Sequence, residues 1–260
     1  MRAPRSGAPF RPSWRARRVQ AEYGRRYRAL WNEHWWWRSR EAFLLAWIER
    51  LHRRTPLRRI LDVGCGDGLF FERLQTFGQV EGIEPDASLV HDPRWRPQIK
   101  IASLEPGSFA PDAYDLVLML DVLEHIADDH SALVAARSAL RTGGHLVLTV
   151  PALSLLWSRH DEANAHHRRY SRPGLRGALE ASGFEVETVR YFFFWTVAPM
   201  LLRRVLAPAG STRGAADYDV AIPPASINRA LNALSRLEHA AGRWVRWPWG
   251  SSLLAIARKP

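Results

Sequence analysis

Between residues 60 and 150, short apolar runs alternate with stretches of helical spacing. The runs predict strands at 60–63, 79–84, 99–103, 115–120 and 145–150, and the 3.6-residue pattern predicts helices at 68–76 and 129–141. Strands alternating with helices build a parallel sheet covered on both faces, and such sheets hold ligands at the carboxyl ends of their strands. Asp62, Glu84, Ser103, Leu120 and Asp121 all fall at or near those ends. Beyond Pro151 a helix is expected at 173–182, stopped by Gly183, then a strand at 184–191 and a last strand at 252–258.

The flanks carry other patterns. Residues 1–18 mix Pro, Gly, Ser and Arg and are expected to form a disordered basic tail. The remainder, 19–260, reads as one domain. Helical spacing runs from 19 to about 52, and Thr55-Pro56 breaks it, so 19–55 is assigned to N-terminal helices. Trp35, Trp36 and Trp37 cannot share one helix face; one is expected to pack inward and another to line a cleft or meet lipid. Residues 192–250 form an insertion before the last strand: an apolar stretch to 206, a Pro/Gly/Ser-rich loop at 207–226 and a helix at 227–243, with Trp244, Trp247 and Trp249 after it.

The candidate chemistry centres on Ile60-Leu61-Asp62-Val63-Gly64-Cys65-Gly66-Asp67-Gly68. A strand feeding alternate glycines and then a helix makes a ligand cradle. Glycine permits the tight turn and the close approach, and the helix start offers unpaired N–H groups. A dinucleotide turn needs G-x-G-x-x-G, whereas the third glycine here comes one residue early. With Asp62 two residues before Gly64, the turn suits a ligand bearing a carboxylate and an ammonium. Glu84 lies 20 residues after Gly64, the offset at which an acid grips a ribose diol.

Leu61-Asp62-Val63-Gly64-Cys65-Gly66-Asp67-Gly68 resembles the first motif of class I S-adenosylmethionine-dependent methyltransferases, and Gly82-Ile83-Glu84-Pro85-Asp86 resembles their second. The stretch from Tyr114 to His125 resembles the fourth-strand segment of the branch containing the quinone-biosynthesis enzymes. Leu140-Arg141-Thr142-Gly143-Gly144-His145-Leu146-Val147-Leu148 is similar to the turn into their fifth strand, with Thr142 where proline is usual. The resemblance implies an α/β fold: a Rossmann-like, doubly wound, mostly parallel seven-stranded sheet with an antiparallel last strand, N-terminal helices and a helical insertion before that strand. It implies S-adenosyl-L-methionine as cofactor, held by Asp62, Gly64, Gly66, Gly68, Glu84, Ser103, Leu104, Leu120 and Asp121. Ser103 stands where the family often has an acid for the adenine amino group, so the Leu104 backbone is the substitute contact. His34-Trp35-Trp36-Trp37-Arg38-Ser39-Arg40 is similar to a helix preceding the first motif, and Arg38 or Arg40 is a candidate partner for the cofactor's carboxylate.

Methyl transfer needs an oriented acceptor and often a base, a role suited to histidine. His125, beside Glu124, follows the fourth strand; His160, Asp161, His166, His167, Arg168, Arg169 and Tyr170 follow the fifth. His125, His160, Asp161, His166, Arg168, Arg169 and Tyr170 are the candidate catalytic set, the arginines as clamps for a phosphate or carboxylate on the acceptor. No metal is expected, because no cysteine or paired helical spacing accompanies the histidines.

Charge changes the picture at the N-terminus. The net charge is +11, yet residues 1–59 hold 16 arginines against 4 acids while 60–260 balance to −1. Such a segment suits an anionic membrane surface or nucleic acid. The aromatic and apolar stretch at 192–206 fits lipid better than phosphate, so nucleic-acid binding on a retained methyltransferase fold is the weaker alternative. The lone Cys65 excludes an internal disulfide. Residues 1–18 lack the apolar core of a signal peptide, and the longest apolar run is too short to span a bilayer. The expectation is a cytoplasmic enzyme, peripheral at the membrane, acting on a small-molecule or lipid-linked acceptor.

Overall fold

The computed structural model describes residues 21–206 and 221–260; the basic tail expected at 1–18 and most of the loop expected at 207–226 lie outside the described residues. Two helices lead in, α1 (Ala21–Glu33) and α2 (Trp35–Arg54). They part at His34, whose ring accepts a hydrogen bond from the Trp36 N–H at 3.2 Å and caps α2. Burial pushes this histidine down to about 4, so its ring stays neutral and free to accept. Phe43, Leu44, Ile48 and Leu51 form the buried face of α2.

The sheet contains β1 (Arg59–Val63), β2 (Gln79–Glu84), β3 (Ile99–Ile101), β4 (Tyr114–Leu120), β5 (Leu140–Pro151), β6 (Glu185–Phe192) and β7 (Ser252–Arg258), in the order β3-β2-β1-β4-β5-β7-β6. β1 to β5 pair in parallel, and β7 runs antiparallel to both β5 and β6. The implied seven-stranded fold is present. β4 shows why its run is continuously apolar: Val117 and Met119 pack into the core on one face, Leu116 and Leu118 into the core on the other. Each such buried aliphatic side chain contributes about 1.5–3 kcal/mol.

Two expectations change. The helix expected at 68–76 is a single turn, α3 (Phe71–Leu74), because the glycine turn runs on to Phe70 and Gly78 closes onto Leu74. One turn is too short to lend the cradle a helix dipole. β5 begins five residues earlier than expected and absorbs Gly143 (φ +78°). Trp35, Trp36 and Trp37 are each half-buried against other rings: Trp36 stacks on Phe193, Trp35 meets Trp195 and Trp37 meets Tyr27.

The remaining helices are α4 (Asp129–Ala139), α5 (Arg159–Ala163), α6 (Arg172–Ala181), α7 (Val197–Leu206) and α8 (Ala225–Ala241). The last two occupy the insertion predicted before the final strand. No described helix is long and apolar enough to cross a membrane.

Candidate active site

Asp62 is the penultimate residue of β1, buried between its neighbours Gly82 on β2 and Leu118 on β4. Burial pushes this carboxyl up to about 7, with Arg40 opposing and Glu84 adding to the rise. A buried carboxylate with no bound counter-charge of its own is poised for a cationic group. Gly64, Gly66 and Gly68 follow with φ of +69°, +53° and +68°. The Gly64 N–H donates to the Ile83 carbonyl at 2.8 Å, and a Cβ there would stand 2.6 Å from Val122 Cγ2. Gly66 faces open space, which is room for a ligand against bare backbone. Gly64→Ala should therefore lower stability by about 1–2 kcal/mol from the left-handed backbone alone, read by thermal melting.

Glu84 ends β2, buried, with Oε2 accepting from the Gly66 N–H at 3.0 Å and Oε1 from the Asp86 N–H at 2.9 Å. Burial raises its pKa and these two bonds oppose the rise. Each oxygen keeps a further lone pair, so a vicinal diol could still be gripped. The set fits S-adenosylmethionine: an acid for an ammonium, open glycine backbone, and a second acid for the ribose. Ser103 and Leu104 stand half-buried beyond β3; the Ser103 carbonyl accepts from Ser108 Oγ and Leu104 packs on the core. Cys65 packs behind the turn against Gly82, and burial pushes its thiol up, so it is inert.

Leu120 closes β4, and Asp121 takes a left-handed φ of +58°. Thr149 on β5 fixes it twice, through Thr149 Oγ1 donating to Oδ1 (2.9 Å) and the Thr149 carbonyl receiving the Asp121 N–H (3.0 Å). Buried Arg40 of α2 reaches in to pair with Asp121 Oδ2 at 2.7 Å and donates to Thr149. Of the two arginines considered for the cofactor's carboxylate, Arg40 is thus bound to protein groups and Arg38 is exposed. Thr149 was not anticipated; its sign in the sequence is one hydroxyl inside an apolar strand.

Glu124 is buried. Burial first, and then the nearby Asp121, raise its pKa well above the usual range, and its Oε2 has no hydrogen-bond partner. His125 is adjacent. The protein around its ring and then His166 push it down to about 4, although one edge remains open to solvent. His166 meets His125 edge to face, 4.7 Å between centroids, and its Nδ1 donates to Asp161 Oδ1 at 2.9 Å. That bond leaves Nε2 free to face Glu124 and His125. The three side chains offer ligand atoms all within 4.8 Å of one another, so they could hold a divalent cation. The expectation of no metal rested on sequence spacing, which does not register a loop folding back across 41 residues.

Asp161 is fully buried and sits in a capping box, accepting from the Ser158 N–H (2.8 Å) and Oγ. Burial would raise its pKa; the bonds from His166 and Arg169 prevail and hold it well below the usual carboxylate range. Arg169 gives two bonds to Asp161 and one to the Ala152 carbonyl. Arg168 pairs with Asp129 at 2.7 Å, and the Tyr170 hydroxyl donates to the same carboxylate. Arg168, Arg169 and Tyr170, expected at the acceptor, are therefore committed to tying the loop to β5 and α4. His160 lies half-buried beside His166, 6.3 Å away between centroids.

A family model described as a methyltransferase domain matches residues 36–189. A probable S-adenosylmethionine-dependent methyltransferase of Mycolicibacterium smegmatis is 30% identical over 167 residues, covering 61% of this chain and 62% of that protein. A ubiquinone biosynthesis O-methyltransferase of Burkholderia pseudomallei is 26% identical over 129 residues, 43% of this chain and 55% of the relative. The chain thus spans less than two thirds of the length of either relative. The solved structure of geranyl diphosphate methyltransferase in complex with S-adenosylmethionine shares the fold, with a TM-score of 0.57 at 17% identity over 94% of this chain and 93% of that one. With more than half of its length matched, the chain belongs to the methyltransferase-domain family.

Proposed function

We propose that the enzyme methylates a hydroxyl oxygen, phenolic or enolic, on a small or lipid-linked acceptor in the cytoplasm, at the surface of an anionic membrane. The observation that carries the oxygen assignment is the buried Asp161–His166 pair beside His125 and Glu124. Asp161 fixes the His166 tautomer with Nδ1–H, leaving Nε2 as a proton acceptor. Glu124, whose pKa burial raises, has an unpartnered Oε2 that can orient the acceptor oxygen. When bound, S-adenosylmethionine supplies an electrophilic methyl group and departs as the thioether. His166 Nε2 receives the acceptor's proton as the oxygen takes up the methyl group. The name of the relative from Burkholderia pseudomallei supports an O-directed reaction. The nucleic-acid alternative gains no support, since the exposed arginines of the insertion flank leucine and tryptophan.

Incubation with methyl-labelled cofactor and a catechol, followed by mass spectrometry, tests the oxygen assignment. The label should appear as an acid-stable aryl methyl ether; label on a ring carbon would refute it.

The unpartnered Oε2 also favours a second reading, in which Glu124, His125 and His166 hold a divalent cation that binds the acceptor oxygen. Dialysis against a chelator separates the two. Turnover should survive it if His166 acts as the base, and should vanish and return with added metal if the cation is required. Calorimetric titration with zinc measures the site's affinity independently of turnover.

A further inference from the structure

α8 is inside out. Three of its polar side chains face the protein: Asn228 bonds the Trp35 N–H (2.8 Å) and the Glu33 carbonyl (2.7 Å), Ser235 accepts from Trp195 Nε1, and Glu238 accepts from the Phe194 N–H (2.9 Å). Its apolar side chains face out: Ile227, Leu234 and Leu237 are 51%, 44% and 68% exposed, at the i, i+7 and i+10 spacing that keeps one face. Trp244, 87% exposed, continues the stripe past the helix end. Across Phe194, whose ring stacks on Trp247 and Trp249, α7 adds exposed Leu202 and Leu206. α7 also packs against the turn at Ser154–Leu156, which leads directly into the loop carrying Asp161 and His166.

The charges beside this face are of one sign. Arg229, Arg236, Arg243 and Arg246 are exposed along it, and among the described residues of 197–250 the sole acid, Glu238, is 7% exposed and turned inward. A protein partner with a merely apolar patch would leave these arginines unanswered. A bilayer containing anionic phospholipid answers both features: leucine and tryptophan enter the headgroup–acyl boundary, and the arginines extend their stems toward phosphate. Tryptophan suits that boundary because its ring is apolar and its N–H is not.

We infer that the outer face of α8, with Trp244 and the outer leucines of α7, is a docking surface for an anionic phospholipid bilayer. The helix lies in the interface plane and does not cross it. Resting on the membrane-surface reading proposed above, this docking sets the acceptor loop next to the membrane and does not depend on which acceptor atom is methylated.

The test is flotation of the full chain with vesicles of phosphatidylcholine alone or mixed with phosphatidylglycerol, at low and high salt. The parent should float with the mixed vesicles only and release as salt rises. Leu234→Ser/Leu237→Ser/Trp244→Ser should bind about tenfold more weakly or worse, while keeping cofactor affinity and turnover of a water-soluble catechol. Arg229→Ala/Arg236→Ala/Arg243→Ala, which leaves the apolar stripe intact, should lose the preference for anionic vesicles. A parent that stays in the soluble fraction overturns the inference. So does a serine variant that floats as well as the parent, which would assign binding to the N-terminal arginines. A parent that dimerises through this face without floating overturns it in favour of a second copy of the chain.

Discussion

Asp62→Asn should stabilise the cofactor-free protein at pH 8 and at the same time weaken its hold on S-adenosylmethionine. The carboxyl ordinarily loses its proton near 3.8 and in the folded chain does so at about 7. Between those values the native state binds a proton that the unfolded state has released, so stability falls as pH rises from about 4 to about 7. Above 7 the whole penalty is present. Roughly three pH units at about 1.4 kcal/mol each give a cost on the order of 4 kcal/mol. Asparagine has nearly the same shape and no charge to bury, so the variant should lose most of that slope. Its penalty appears only with cofactor, since an ammonium group beside Asp62 would offset the buried charge and has nothing to offset in the variant. Urea unfolding at pH 5 and pH 8, with and without cofactor, checks both halves. Equal pH slopes in parent and variant would show that Asp62 is ionised and already neutralised, by Arg40, in the free protein.

His166→Ala should lower turnover by about 10²–10⁴-fold, the range typical of a removed general base, with cofactor affinity unchanged. Asp121 and Arg40 keep their pairing with each other and their bonds to Thr149 without it. Asp161→Asn is a poorer probe. It would leave Arg169 buried without its counter-charge, at about 3–5 kcal/mol, and unfold the loop it is meant to report on.

Much of this arrangement is legible in the residues themselves. A parallel sheet was readable because both faces of β4 are buried, which forces an unbroken apolar run, and the glycine turn because three left-handed positions in five residues require glycine. Glu84 was readable from its offset alone. The acceptor side was readable only as a set of residue types. Sequence puts Arg168, Arg169 and Tyr170 in a polar loop, but their partners Asp129 and Asp161 are determined by how the loop folds back on β5. Asp121's left-handed backbone and its clamp by Thr149 and Arg40 depend on three separate elements meeting, which no local pattern encodes. α8 shows the same limit. Its spacing defines an apolar stripe and a polar stripe, and only the polar contacts with Glu33, Phe194 and Trp195 decide that the apolar stripe faces outward. The tryptophans at 35–37 are half-buried, Trp36 against Phe193 and Trp35 against Trp195, contacts that helical spacing alone does not encode.

The account rests on a division of labour between the cradle at Asp62–Glu84 and the pair at Asp161–His166, and cofactor-saturation curves of labelled methyl transfer probe that division directly. Glu84→Ala removes a charge-assisted contact to the ribose of about 1.5–3 kcal/mol, so it should shift half-saturation upward by about tenfold or more and recover its rate at high cofactor. His166→Ala should reach saturation at the parent's cofactor concentration with its maximal rate still lost. A His166→Ala enzyme restored by added cofactor, or a Glu84→Ala enzyme that saturates where the parent does, would contradict it.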